Sequence, residues 1–218
     1  MNNLNYFTKI ILTLPLLSSL LLGGCVSRPD INLIPVNVNS IERAKAWEMQ
    51  GKLAIKTAED KYSTNLYWLH TEYSNELRLT TMLGTTVMSL TSDTNGAKLE
   101  LDGKTYRDDE PEQLLKRLTG WSIPIDTLPR WITGQISATD QVISRDEQHR
   151  PLTVQSHLGT TPWQVTFKSW QTQSGAPLPK LLELTREDIR LKIQINQWQA
   201  LAESVAISPE TPEKPNEQ

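Results

Sequence analysis

Period-two alternation of apolar and polar residues governs the first half of this chain, and it dictates strands with one dry face and one wet face. Glu76-Leu77-Arg78-Leu79-Thr80 alternates most cleanly. Gly51-Lys52-Leu53-Ala54-Ile55-Lys56 puts Leu53 and Ile55 on one side, and Thr64-Asn65-Leu66-Tyr67-Trp68 does the same with Leu66 and Trp68. Met88-Ser89-Leu90 and Leu99-Glu100-Leu101 continue the series. Turn-forming residues stand between these runs: Glu59-Asp60, Ser74-Asn75, Asn95-Gly96 and Asp102-Gly103. The expected structure is a meander of short antiparallel strands, preceded by a helix over Ile41 to Glu48 that Ser40 caps.

From Asp109 the period becomes helical. Asp109 and Glu112 have capping-box spacing, and Pro111 falls in the tolerated first turn. Leu114, Leu115, Leu118 and Trp121 then form one apolar stripe, which Gly120 can stop in the left-handed conformation. A second short helix is expected from Asp126, with Pro129 near its start, Leu128, Trp131 and Ile132 on its apolar side, and Gly134 at its end. Strands resume at Gln141–Arg145, Leu152–Ser156, Trp163–Trp170, Leu181–Arg186 and Arg190–Trp198. About ten short strands interrupted by two helices predict a barrel or strongly curved sheet whose open mouth or concave face takes the helical stripes. A sheet covered in that way can enclose an apolar pocket.

Ahead of this domain, Lys9 and an apolar run from Ile10 to Leu22 lead into Leu22-Gly23-Gly24-Cys25. A short basic start, a brief apolar core, small residues and then cysteine read as a bacterial lipoprotein signal. Cleavage then follows Gly24, and Cys25 carries a diacylglycerol on sulfur and an acyl chain on its amine. The competing readings are an ordinary secretory signal with a chance cysteine, and a membrane-spanning anchor. Pro15, Ser18 and Ser19 interrupt a run already short for the latter. The expected organisation is a signal over residues 1–24, a lipidated tether over 25–40, one domain over 41–201, and an unstructured tail over 202–218 rich in proline and charge.

Cys25 is the sole cysteine, so no internal disulfide is possible and the fold relies on its core. The net charge is −3, and loss of Lys9 with the signal makes the remainder slightly more acidic. No stretch of sequence forms a basic block, which argues against nucleic acid as a partner and against electrostatic docking on membranes. Membrane attachment is left to the lipid, where each buried methylene contributes about 0.8 kcal/mol. Seven tryptophans against two phenylalanines supply stiff aromatic area, suited either to a Trp-rich core or to the walls of a cavity.

Motifs for catalysis are lacking. The sequence has no Gly-x-Ser-x-Gly elbow, no glycine-rich phosphate loop and no His-x-x-x-His pair, and His70, His149 and His157 lie in separate segments without acidic partners. No metal, cofactor or catalytic residue is nominated. One segment breaks the patterning rule: Thr81-Met82-Leu83-Gly84-Thr85 places two large apolar residues where a hairpin tip expects polar ones. Either the strands run longer and Met82 and Leu83 fold back on the core, or the tip is an apolar finger that touches lipid or a partner.

The cysteine motif at Cys25, the Gly51-Lys52-Leu53-Ala54 strand, Tyr67-Trp68, and Leu77-x-Leu79-Thr80-x-x-Leu83-Gly84 together resemble the LolB family of outer-membrane lipoproteins. Leu118-Thr119-Gly120-Trp121-x-Ile123-Pro124, Leu128-x-x-Trp131-Ile132-x-Gly134, Trp163-x-Val165 and Leu191-Lys192-Ile193-x-Ile195-x-x-Trp198 extend the likeness from about Trp47 to Trp198. The resemblance implies a mostly β, α+β fold, an incomplete antiparallel barrel of ten to eleven short strands with helices lidding an apolar cavity. It implies a non-enzymatic receptor on the periplasmic side of the outer membrane, needing no cofactor. Such a receptor accepts lipoproteins from the soluble carrier LolA and places them in the inner leaflet.

By position, Leu83, with Met82 and Gly84, matches the family's exposed apolar loop linked to delivery. Met82 stands where the family pattern has proline, which leaves the loop less rigid here. Val26 after the lipidated cysteine fits passage to the outer membrane. The acyl-chain cavity is expected to be lined by Leu53, Leu66, Trp68, Leu77, Leu79, Met88 and Leu90, with Leu118 and Trp131 from the lid, in a protein acting as a monomer. The rival classes are a structural or assembly lipoprotein whose concave face binds protein, and a lipid-modifying enzyme for which no site residue is found.

Overall fold

The computed structural model describes residues 32–157 and 161–204. The expected signal with Gly24 and Cys25, the tether as far as residue 31, and the tail from residue 205 lie outside the described residues. Among the described residues, twelve strands form a single sheet. They are β1 (Leu33–Val36), β2 (Ala46–Lys56), β3 (Lys61–His70), β4 (Ser74–Thr80), β5 (Thr86–Asp93), β6 (Gly96–Leu101) and β7 (Lys104–Asp108), then β8 (Gln141–Arg145), β9 (Pro151–Ser156), β10 (Trp163–Gln173), β11 (Ala176–Arg186) and β12 (Ile189–Glu203). Two helices, α1 (Pro111–Thr119) and α2 (Leu128–Ile132), lie between β7 and β8.

The strand order is β7-β6-β5-β4-β3-β2-β12-β11-β10-β9-β8, and every pairing is antiparallel. Each half is a meander, and β2 against β12 joins the halves. Strands β7 and β8 end the order and do not pair with each other, so the sheet curves without closing. The mostly β fold with an incomplete antiparallel barrel is therefore present, with twelve strands in place of ten or eleven.

Pleating aligns the apolar residues of separate strands into rows on one face. One row runs Trp198, Met49, Trp68, Leu77, Leu90, Leu99 and Tyr106 across seven strands. Another runs Val154, Val165, Leu184, Leu191 and Ile55. Apart from Tyr106, which packs at the rim, all of these are buried in one contiguous core. The rows explain why the alternation in sequence is so regular: each strand contributes every second residue to a shared apolar surface.

Several elements differ from the sequence expectation: α2 starts at Leu128 and not Asp126, and β11 already at Ala176. The predicted helix over Ile41 to Glu48 is only a 3-10 turn, Ile41–Arg43, and β2 begins at Ala46. Trp47, Met49, Gly51, Leu53 and Ile55 all face inward at period two, and Gly51, having no side chain, hid the first half of that alternation. β1 forms within the expected tether and pairs with the far end of β12, Leu33 opposite Glu203 and Val36 opposite Ala200. β12 correspondingly continues past 201. β7, an edge strand with Tyr106 as its inward aromatic, has too little apolar content to signal itself. Helix α1 lacks the Asp109 capping box: its N-cap is Glu110, without a side-chain cap. Asp108 instead accepts the Glu110 N–H at 3.2 Å and pairs with Arg117 of the next turns. Gly120 ends α1 at φ +77°, its N–H donating to the Lys116 carbonyl at 2.9 Å.

An aromatic group closes the end of the sheet near β1. The Trp47 ring lies 6.1 Å from Trp68, 6.4 Å from Trp198 and 5.0 Å from His70. Asn75 Oδ1 accepts from Trp68 Nε1 at 3.1 Å and contacts His70 Nδ1 at 2.8 Å, so Nδ1 carries the proton and donates. Burial holds the His70 pKa below its ordinary value, against the opposing pull of the Asn75 hydrogen bond. A depressed histidine means that the folded state binds fewer protons than the unfolded one. Stability is therefore intact above about pH 6.5 and falls as pH drops from there towards the folded pKa. Melting temperatures across pH 7.5 to 5 are expected to decline less for His70→Gln than for the unaltered protein; parallel declines contradict this.

Candidate functional site

The concave face of the sheet carries an apolar hollow with a lid. Its floor is Leu53, Leu66, Trp68, Leu77, Leu79 and Met88, joined by Ile55, Leu191 and Ile193. Its roof is Leu115 of α1, Leu128 of α2, and Trp121, Ile123 and Ile125 from the segment between the helices. The walls are entirely apolar, and the free volume is about 30 Å³. That is little more than room for one water-sized sphere, an order of magnitude below the volume of sites that hold drug-sized ligands. As it stands the lid is shut, and a hydrocarbon chain enters only if the roof lifts.

Of the expected lining residues, six from the sheet come together. Leu90 is fully buried in the same row as Leu77, but it is not part of the lining; α1 packs over the neighbouring strands β6 and β7. Trp131 is fully buried on α2, which packs against β11, and its indole N–H has no partner among the described residues. Leu118 sits half-buried on α1, outside the lining. Sequence reasoning missed the Ile123-Pro124-Ile125 segment, because it follows neither a helical nor a strand period. Its signal was two branched apolar residues around a proline in a span with no element of its own.

The lid is held along the hollow's edge by few side-chain contacts. The Trp121 ring meets Tyr62 of β3 edge-on with centroids 5.4 Å apart. Arg186 of β11 donates to the Ser122 carbonyl, and its guanidinium stacks 4.4 Å above the Trp163 ring. Ser122 Oγ also donates to Glu112 at 3.0 Å, tying the segment to α1. Arg117 of α1 also pairs with Asp108 of β7; over the hollow itself the closure is apolar contact, which a hydrocarbon can replace at little cost because the exchange is apolar for apolar.

The β4–β5 tip stands away from the core. Leu83 is 96% exposed and Met82 73%. The backbone of the turn is nevertheless closed by hydrogen bonds. Thr81 N–H donates to Thr85 O at 2.8 Å, Gly84 N–H to Thr81 O at 3.0 Å, and Asn65 Nδ2 to Thr81 O at 3.0 Å. Gly84 has φ +86°, a conformation that favours glycine. The two apolar side chains therefore project from a defined turn and do not fold back on the core.

A larger depression of about 520 Å³ lies by strands β4 to β7, but Asn75, Asp93, Lys98 and Asp108 in its walls make it unsuited to hydrocarbon. Among the described residues no group of three His, Cys, Asp or Glu side chains is placed to hold a metal ion, and no helix is long and apolar enough to cross a membrane.

A sequence profile of the family described as "Outer membrane lipoprotein LolB" matches residues 45–198. The chain is 57% identical to the outer-membrane lipoprotein LolB of Shewanella loihica over 97% of its own length and 98% of that protein. Identity to the protein of the same name from Shewanella woodyi is 59%, over 93% of this chain and 95% of the relative. Among solved structures, a LolA superfamily protein from Nitrosomonas europaea aligns with a TM-score of 0.47 at 5% identity, over 72% of this chain and 86% of that one.

Proposed function

The chain belongs to the LolB family of outer-membrane lipoproteins, and from that premise we propose that it is an outer-membrane receptor for lipoproteins in transit. Cleaved after Gly24 and lipid-anchored at Cys25, it faces the periplasm. It accepts lipoproteins from the carrier LolA and inserts them into the inner leaflet, acting as a monomer without nucleotide, metal or covalent chemistry. The observation that carries this reading is the lidded hollow, into which no polar atom is exposed.

Acyl chains in transit need such a container. Exposing a dozen methylenes to water costs on the order of 10 kcal/mol, so release from one carrier requires apolar surface at the next. The roof residues Trp121, Ile123 and Ile125 cover the floor when no chain is present and move aside for one. The floor's rigidity comes from the continuous strand rows beneath it. Transfer then runs downhill in affinity from carrier to receptor to bilayer. Leu83, with Met82 beside it, enters the leaflet and couples the hollow to the membrane.

A fluorescent fatty acid is the direct probe. It is expected to bind the protein and to be displaced by the acyl chains of a lipoprotein. A protein indifferent to both would sink the receptor reading and leave a scaffold that binds protein.

A further inference from the structure

The sequence has no basic block, yet the sheet builds one. On the outer face, opposite the hollow, the β3–β2–β12 registers set Lys61 beside Lys56 and Lys56 beside Arg190. Two residues further along each strand, Ser63, Ala54, Lys192 and Glu183 form the next outward row, and Lys52 follows in the row after that. Lys52, Lys56, Lys61, Arg190 and Lys192 are all exposed. Among the described residues none of the five lies within 4.0 Å of a carboxylate. Four of these cations border a shallow depression of about 420 Å³ whose wall includes the small side chains of Ala54 and Ser63, with Glu183 its one carboxylate. The nearby acids Glu59, Asp60 and Asp188 line a different depression, on the lid side with Trp121.

We propose that this outer face is a docking surface for the anionic phosphates of a lipid leaflet, so that the body leans on the membrane through β2, β3 and β12. Two features favour a lipid surface as the occupant. The depression is broad and shallow, with cations on flexible stems around small residues, which suits mobile phosphates at a plane. It is also continuous with the apolar finger: Asn65 shares an outward row with Lys52, and its amide holds the base of the Leu83 turn through Thr81 O. Leu83 in the hydrocarbon and the lysines at the phosphates are therefore neighbouring parts of one contact. This rests on the membrane attachment in the proposed function, and adds to it which side of the molecule meets the lipid.

The full lipidated protein with an environment-sensitive fluorophore on Ser63→Cys, reconstituted in vesicles carrying a headgroup quencher, tests this. In phosphatidylcholine–phosphatidylglycerol vesicles quenching is expected to be strong, and in pure phosphatidylcholine weak. The triple variant K52Q/K56Q/K192Q is expected to lower the leaning population about a hundredfold, at about fivefold per charge, and about 0.5 M salt to do likewise. Quenching that ignores lipid charge, or survives the triple variant, overturns the proposal. So does a triple variant that keeps its quenching but accepts cargo poorly, since the face then serves an acidic protein partner. Failure of the anchor itself is distinguishable, because the protein would then not float with vesicles of either composition.

Discussion

Leu83→Glu is expected to leave the fold and cargo uptake intact while slowing release of lipoprotein into liposomes about thirtyfold or more. The side chain is 96% exposed, so its replacement removes no packing, and the melting temperature should move by no more than about 2 °C. Entering a leaflet is another matter. A leucine leaving water gains about 2 kcal/mol, and a carboxylate in its place forfeits that gain and adds a desolvation cost. The turn itself persists, because it is held by Thr81, Thr85 and the Asn65 amide rather than by the leucine. Normal release by this variant, measured with labelled cargo and liposomes, contradicts the role given to the finger.

Gly51→Val is expected to be strongly destabilising. A Cβ at position 51 would stand 2.0 Å from the Gln194 carbonyl oxygen and 3.3 Å from the Ile195 Cα. Both neighbours are backbone, and both belong to β12, the strand that joins the two halves of the sheet. The chain is drawn in there because β12 bulges between Ile195 and Gln197. Accommodating a side chain means parting β2 from β12, which costs about 3 kcal/mol or more. For a domain of this size that lowers the melting temperature by about 6–12 °C. Gly51→Ala should show a smaller loss of the same sign. A melting curve for Gly51→Val that overlays the unaltered protein would show that the strands are not locked at this point.

The strands were legible because each carries its own period. Leu77 and Leu79, or Leu191 and Ile193, announce a face without reference to any distant residue. The lid was half legible: the α1 stripe was, and the Ile123-Pro124-Ile125 segment was not. β7 and β1 escaped because edge pairing is a property of the neighbour that offers a free edge, and Leu33-Ile34-Pro35-Val36 has no alternation of its own. The helix expected over Ile41 to Glu48 failed for a related reason: Gly51 interrupts the visible pattern at the place where the backbone approach demands glycine. Charge was the least legible. Lys56, Lys61 and Arg190 are separated in the chain, and only strand pairing makes them a patch. The size of the hollow was not readable at all, since it depends on how closely Trp121, Ile123 and Ile125 settle on the floor.

That closed roof makes opening the central claim. Tyr62 and Trp121 meet across the edge of the hollow, and the lone natural cysteine, Cys25, lies outside the described residues. A protein carrying Tyr62→Cys and Trp121→Cys, bridged by a reducible cross-linker, has its lid tied to the sheet. Fatty-acid probe binding is predicted to be lost in the bridged protein and restored when the bridge is reduced. Equal probe binding before and after reduction would show that hydrocarbon reaches the protein by some route other than the lid.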